Sequence, residues 1–254
     1  MNQHGTALTA GSPGPAARRA DAGIVRLSGR DVSGLLLCGE MYGAPYDLLA
    51  AALEVRADRL RGIVARWRRA GYCATGRLGP GPAWCWLTRS GLAVTGLGYA
   101  PSRPTLGRLA HIRAVLAIRL SLQASDVYRE GRAWWRPERR IRAAIGGRAP
   151  GHVPDAEIFW PDLPGTVYGG ECWAVEAELT PKALTRTAAI MTGLVTRTAD
   201  YYPDSAPGPG PRYDRVIYLA TPAARGVTGR AAASLSPHLR SRVSVRDLPP
   251  GAVL

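Results

Sequence analysis

Cys172-Trp173-Ala174-Val175-Glu176-Ala177-Glu178-Leu179-Thr180-Pro181-Lys182 is the stretch whose reading decides the fold. Its first eight residues read as a strand, and because side chains alternate along a strand, Glu176 and Glu178 face the same way. Val153-Pro154-Asp155-Ala156-Glu157-Ile158-Phe159-Trp160 reads as the preceding strand, with Leu163-Pro164-Gly165-Thr166 as the turn between them. A turn centred near Gly165 and Thr166 pairs the two strands antiparallel and sets Asp155 opposite the 176–178 segment. Three carboxylates then converge, and like charges brought together repel strongly. Such a trio asks for a cation, and its oxygen donors suit Mg²⁺ or Mn²⁺. The plainer reading is a solvated strand face whose acids pair with nearby arginines.

Lys182 is the single lysine among 33 basic residues. A compact ammonium approaches a carboxylate, water or phosphate as a point charge with a tunable pKa, which guanidinium does not offer. A lone lysine four residues beyond Glu178 is therefore a site candidate. The net charge of +14 is unevenly spread. Residues 101–150 carry eleven Arg against three acids, whereas 151–200 carry seven acids against two Arg and Lys182. An acidic island inside a basic chain fits a polyanion partner and a site that needs acids, and nucleic acid is the polyanion such a surface attracts.

Upstream, residues 31–100 read as three helices and a hairpin. Apolar residues from Val32 to Met41 give a first helix, Pro45 opens a second, and Leu60, Ile63, Val64 and Trp67 recur at helical spacing in a third that Gly71 stops. Residues 72–75 and 83–87, separated by Gly79-Pro80-Gly81-Pro82, make the hairpin. Helix, turn, basic helix and hairpin together resemble a winged helix-turn-helix. In such domains the third helix enters the major groove of duplex DNA, which makes Arg56, Arg59, Arg61, Arg66, Arg68 and Arg69 candidates for phosphate or base-edge contacts. The same fold also serves as a dimer interface or a spacer.

Residues 1–30, rich in Gly, Ala, Pro and Arg, read as a disordered basic arm. No run of about 18 apolar residues exists, so neither a membrane span nor a secretory leader is expected and the cytoplasm is the expected compartment. Cys38, Cys73, Cys85 and Cys172 are too scattered for a zinc motif, and Cys73 and Cys85 are expected to face each other across the hairpin. Residues 105–123 read as a long helix joining the two halves, with His111 on it as a packed or surface histidine. Strands are expected near 134–136 and 213–220, helices at 137–142, 182–200 and 222–235, and an edge strand at 243–245.

The motif Pro154-Asp155, then Glu176-x-Glu178 on the next strand and Lys182 at the following helix, resembles the PD-(D/E)xK nuclease superfamily. More narrowly, the winged domain, His111, Trp135-Arg136-Pro137-Glu138-Arg139, Pro154-Asp155-Ala156 and the Val175-Glu176 strand resemble the replication-relaxation family of actinobacterial plasmids and integrative elements. The resemblance covers about residues 31–235. It implies an α+β protein: a winged helix-turn-helix over 31–100, then a PD-(D/E)xK-like domain with a central mixed sheet over 101–254. It also implies metal-dependent phosphodiester cleavage, with Asp155, Glu176 and Glu178 as Mg²⁺ or Mn²⁺ ligands and with Lys182 and Glu138 in the same site. Glu178 stands where the superfamily usually has lysine, which leaves open a domain that only binds DNA. Double-stranded DNA and other replication or transfer proteins are the implied partners, and a dimer is compatible with both. His4, His111, His152 and His238 form no His-x-His, so the tyrosine chemistry of rolling-circle relaxases at Tyr201 or Tyr202 is not expected.

Overall fold

A computed structural model describes residues 26–146, 151–164, 167–198 and 212–253. Most of the basic arm, the 165–166 turn and the Tyr201-Tyr202 pair lie outside the described residues.

The N-terminal unit runs α1 (Gly29–Glu40), β1 (Ala44–Pro45), α2 (Tyr46–Ala52), α3 (Ala57–Arg69), β2 (Cys73–Gly76), β3 (Trp84–Leu87) and α4 (Arg89–Val94). Its three strands pair antiparallel in the order β1-β3-β2. Local chemistry sets the helix ends. Ser28 and Asp31 form a reciprocal capping box at the start of α1, so the first helix begins before residue 31, inside the expected arm. Gly71, at φ 75°, turns the chain after α3, and the Tyr72 amide closes the turn on the Trp67 carbonyl at 2.9 Å.

Asp31 knits this unit together. It is buried, accepts from Trp67 Nε1 at 2.8 Å and pairs with Arg66. Gly34, one turn along α1, makes room for the indole: a Cβ there would lie 2.6 Å from Trp67 Cη2. Burial pushes the Asp31 carboxyl upward, but the hydrogen bonds from Ser28 and Trp67 and the Arg66 charge outweigh it and hold the group below its ordinary range. Arg66, expected on a DNA-facing surface, is thus tied into the fold. Cys85 lies against both Cys73, as expected, and Cys38; all three thiols are free and buried.

The C-terminal unit runs through a short 3₁₀ turn into α5 (Leu109–Gln123), then α6 (Asp126–Arg129), β4 (Trp134–Pro137), α7 (Glu138–Ile145), β5 (Ala156–Phe159), β6 (Cys172–Glu178), α8 (Leu184–Val195), β7 (Arg215–Ala220), α9 (Pro222–Ala233), α10 (Pro237–Arg240) and β8 (Val243–Asp247). The protein is therefore α+β with a mixed five-stranded sheet in the order β4-β5-β6-β7-β8. Strands β4, β5 and β6 are antiparallel neighbours, while β7 is parallel to β6, and β8 to β7. One sheet face, through Ile158, Val175, Ala177 and Ile217, shares a core with α5. The other, through Ala174, Val216 and Tyr218, packs on Met191, Leu194 and Val195 of α8 and on Ala231 and Ala232 of α9.

Helix α5 is more than a connector. It is buried nearly all round from Ile112 to Arg119, as a helix apolar on every side must be. The same core continues from it into the N-terminal unit. Its two buried arginines reach back across that contact: Arg113 grips Asp47 with two bonds of 3.0 and 2.6 Å, and Arg119 meets Glu40 at 2.7 Å. From α7, Arg139 donates to the Gly39 carbonyl at 2.6 Å and lies over the Tyr42 and Tyr99 rings. The expected division near residue 100 is thus one of chain order, while the core is shared. No helix among the described residues is long and apolar enough to cross a membrane.

Removing one partner of a buried, hydrogen-bonded pair leaves the other stranded, at a cost of about 3–5 kcal/mol. Asp31→Ala should therefore lower the melting temperature sharply, and Arg66→Ala should do so by a smaller margin because its side chain is partly exposed; a calorimetric midpoint unchanged in Asp31→Ala would overturn this view of the N-terminal core.

Candidate functional site

Asp155 stands one residue before β5, and Ala156 pairs with Val175. One step along this antiparallel ladder sets Asp155 opposite Glu176, as the alternation in the sequence requires. Three elements then fix Asp155. Its Oδ2 accepts the Ala177 amide at 2.8 Å, its carbonyl accepts the Glu138 amide at 2.9 Å, and its Oδ1 lies 2.7 Å from His111 Nε2. The histidine read as packed or surface is thus the direct partner of the first acid. Burial pulls the His111 pKa down, but the bond and charge of Asp155, helped by Glu176 and Glu138, more than reverse this and raise it.

Glu176 is buried in the middle of β6, with Oε1 2.8 Å from His152 Nε2. Burial, and then the charge of Asp155, push its carboxyl up to about 7 against the opposing pull of His152 and Lys182. His152 is itself raised: desolvation lowers it, and the hydrogen bond and charge of Glu176 outweigh that. His152 enters by the loop before β5, and its only sequence signal is its place three residues ahead of Asp155. Glu178, also buried, meets Lys182 Nζ at 2.8 Å. Lys182 acts electrostatically on Glu176 and His152 as well, so the sole lysine comes to the acidic end of the sheet. Tyr218 of β7 is the parallel-ladder partner of Glu176. Its hydroxyl is buried without a partner among the described residues, and burial with the charges of Glu176, Glu178 and Asp155 raises its pKa well above the ordinary value.

Glu138 opens α7 at the rim and is engaged by Arg142 at 2.7 Å and Arg108 at 3.2 Å. Together with Asp155, His111, Arg108 and Tyr42 it lines a cavity of about 20 Å³, about the space of a single water. Tyr42 comes from the N-terminal unit, in the left-handed region at φ 63°, beneath the guanidinium of Arg108.

The three carboxylates share one end of the sheet, but each faces a basic group of its own: Asp155 faces His111, Glu176 faces His152 and Glu178 faces Lys182. Among the described residues no three His, Cys, Asp or Glu side chains gather closely enough to hold a metal ion. The expected three-carboxylate cage is therefore not assembled. As a donor set, Asp155 and Glu176 fit a hard divalent cation: both offer oxygens, and such an ion offsets the burial of Glu176 and, next to it, the repulsion from Asp155. Glu178, turned to Lys182, stands outside that pair. Chemically, the cluster offers proton carriers poised around neutrality, a carboxyl near 7 and two imidazoles above their ordinary value, as acid–base work requires.

The candidate DNA-binding arginines lie elsewhere, on α3. Arg56, Arg59, Arg61, Arg68 and Arg69 are exposed, with Arg56 3.5 Å from Asp58. Arg61 and Arg68, two turns apart, share one flank of the helix.

No protein-family model matches this chain, and no curated protein matches it. Among solved structures, it is similar to the restriction endonuclease FokI bound to DNA, at 10% identity and a TM-score of 0.27 over 85% of this chain and 42% of that one. The chain thus spans about two fifths of that structure's length, and a likeness this slight bears no weight on fold or function.

Because the Glu176 pKa is raised by folding, the native state keeps a proton that the unfolded chain has released. The stability it contributes is complete below about 4.5 and lost as the pH rises through about 7. Raised His111 and His152 act with the same sign, losing their contribution above 6.5. Between about pH 5 and pH 8 the melting temperature should therefore fall, and Glu176→Gln should flatten this fall by removing roughly 3 kcal/mol of linkage. An identical pH profile in the variant would show that Glu176 titrates normally.

Proposed function

We propose that this chain is a DNA-binding protein acting in plasmid or mobile-element replication or transfer, and that the end of its sheet is a phosphodiester-cleaving site using Mg²⁺ or Mn²⁺. One observation carries the reading: the ladder sets Asp155 beside buried Glu176 at a sheet end that Lys182 also reaches. The order α5, β4, β5, β6, α8, β7, with the short α6 before β4 and α7 inserted between β4 and β5, and with three antiparallel strands and a fourth parallel to the third, supports a PD-(D/E)xK-like domain. The order α1, β1, α2, α3, β2, β3, with the sheet arranged β1-β3-β2, supports a winged helix-turn-helix.

Asp155 and Glu176 would hold the ion, which when bound supplies a Lewis acid and an activated water. Asp155 is oriented for this by the Ala177 amide and His111, and Glu176 by His152. Lys182 brings positive charge to the end where a pentacovalent phosphate gains negative charge. His111, His152 and Glu176, each with a raised pKa, would be the groups that hold or release protons there. A second reading, a DNA-binding accessory protein with a degenerate nuclease fold, draws support from the basic partner that each carboxylate already has and from Glu178 at the usual lysine position.

Plasmid nicking separates the two. With Mn²⁺ or Mg²⁺ the wild type should convert supercoiled to open-circular DNA, Asp155→Asn should lose this, and Lys182→Arg should lose most of it with duplex affinity intact, because guanidinium keeps charge without the compact shape. Full nicking by Lys182→Arg would make the lysine incidental, and no nicking by the wild type with any divalent ion would leave the accessory reading standing.

Duplex affinity itself tests α3. Arg59 and Arg69 are exposed and hold no acidic partner among the described residues, unlike Arg66. Arg59→Ala/Arg69→Ala should weaken duplex binding and flatten the log–log salt dependence by about 0.9 per lost phosphate contact. Wild-type affinity and slope in this variant would remove α3 from the interface.

A further inference from the structure

A groove of about 500 Å³ runs between α8 and the loop that carries His152. Ala189, Ile190 and Gly193 are among the residues on its helical side, with Gly151 and His152 facing them and Arg186 at the side. This volume lies within the range of about 300–1,000 Å³ that takes small ligands. The groove adjoins the acidic cluster through one shared residue, His152, which lines it and whose Nε2 lies 2.8 Å from Glu176 Oε1.

Its charge is unusual for this protein. Elsewhere acids neutralise many of the arginines, as Asp31, Asp47, Glu40, Glu138 and Glu157 do for Arg66, Arg113, Arg119, Arg142 and Arg212. Among the described residues no acid lines the groove. Arg186 is exposed and without an acidic partner among the described residues, and Arg197 is fixed to the His152 carbonyl at 2.7 Å. An apolar side beside cationic groups complements a ligand with one flat apolar part and one anionic part.

We propose that this groove seats a single unpaired nucleotide of a DNA strand, its base against Ala189, Ile190 and Gly193 and its phosphate at Arg186. The inference rests on the reading of the sheet end as a DNA-processing site and narrows its substrate to a strand that is locally single, by melting or by extrusion of a base. Unpaired bases are the ones whose faces are free to lie on a protein surface and on guanidinium planes.

Gly193 makes a clean test. A Cβ built there meets nothing within 4 Å, so a larger side chain projects into open space. Replacing a helical glycine also favours the helix. Fluorescence anisotropy of the full chain with a labelled oligothymidylate and with a labelled blunt duplex should show Gly193→Leu losing roughly tenfold in single-strand affinity with duplex affinity unchanged. Arg186→Ala should weaken the single strand and reduce its salt slope by about 0.7. The melting temperature of both variants is measured alongside, and Arg186→Ala, an exposed change, stands as the second test should Gly193→Leu fold poorly. Single-strand binding that is absent in the wild type, or unaltered by both substitutions, overturns the proposal. Loss of duplex binding in Arg59→Ala/Arg69→Ala with single-strand binding retained isolates the groove from α3. A wild type that nicks nothing yet binds the oligothymidylate through Gly193 and Arg186 removes the cleavage reading and keeps the groove.

Discussion

Asp155 is held from three directions, and the arrangement of the sheet end depends on that. The Ala177 amide ties it to β6, the Glu138 amide to α7, and His111 to α5. Each bond answers a separate need. The carboxylate sits where the β5–β6 ladder stops, so one oxygen takes up an amide that would otherwise lack a strand partner. The other oxygen faces a histidine that its own charge keeps basic. Once Asp155 is fixed, Glu176 must lie beside it, and burial of the second carboxyl next to the first lifts it toward neutrality. The perturbed group is thus a consequence of register and burial together.

Arginine has two separate roles in this protein. Arg113, Arg119 and Arg139 are buried, and each joins the N-terminal unit to the helices behind it by bonds to a carboxylate or to main-chain carbonyls. Arg212 makes a two-pronged contact with buried Glu157, which also accepts the Tyr213 hydroxyl at 2.9 Å. Guanidinium suits such places because its planar fork satisfies several acceptors at once and stays charged when desolvated. The net charge therefore overstates the surface offered to a polyanion.

Much of this was legible in the sequence, for identifiable reasons. The period-two pattern and the turn residues set the β5–β6 pairing, and the 60, 63, 64, 67 spacing set the buried side of α3. His111 and His152 were not legible as partners of the acids, because a helix from one side and a loop from another bring them there, and neither leaves a local pattern. Arg59 and Arg66 look alike in sequence; only the packing of α1 on α3 ties one to Asp31 and leaves the other in solvent. The two residues of β1, the six of α4 and the four of α6 are too short to carry a period. Apolar residues on every side of α5 do signal burial on both faces, and on that ground the sequence allows a shared core where chain order alone draws a boundary at residue 100.

The place where the chemistry gathers follows from strand direction. Parallel strands β6 and β7 end together, and both hand the chain to helices there, β6 through Lys182 into α8 and β7 through Thr221, whose side chain caps α9. At the carboxyl ends of parallel strands the backbone must leave the sheet, which opens a crevice that side chains from the strands can line. Glu176 and Glu178 reach that end on the face that α8 and α9 cover, whereas His111 arrives from the α5 side. Asp155 can meet groups from both faces because it lies just past the ladder, where no strand residue screens one side from the other. A carboxylate inside the ladder, such as Glu157, has no such access: it is buried against Arg212, Tyr213 and Arg136. Two acids two residues apart in sequence thus have opposite fates, and the difference is two steps of ladder.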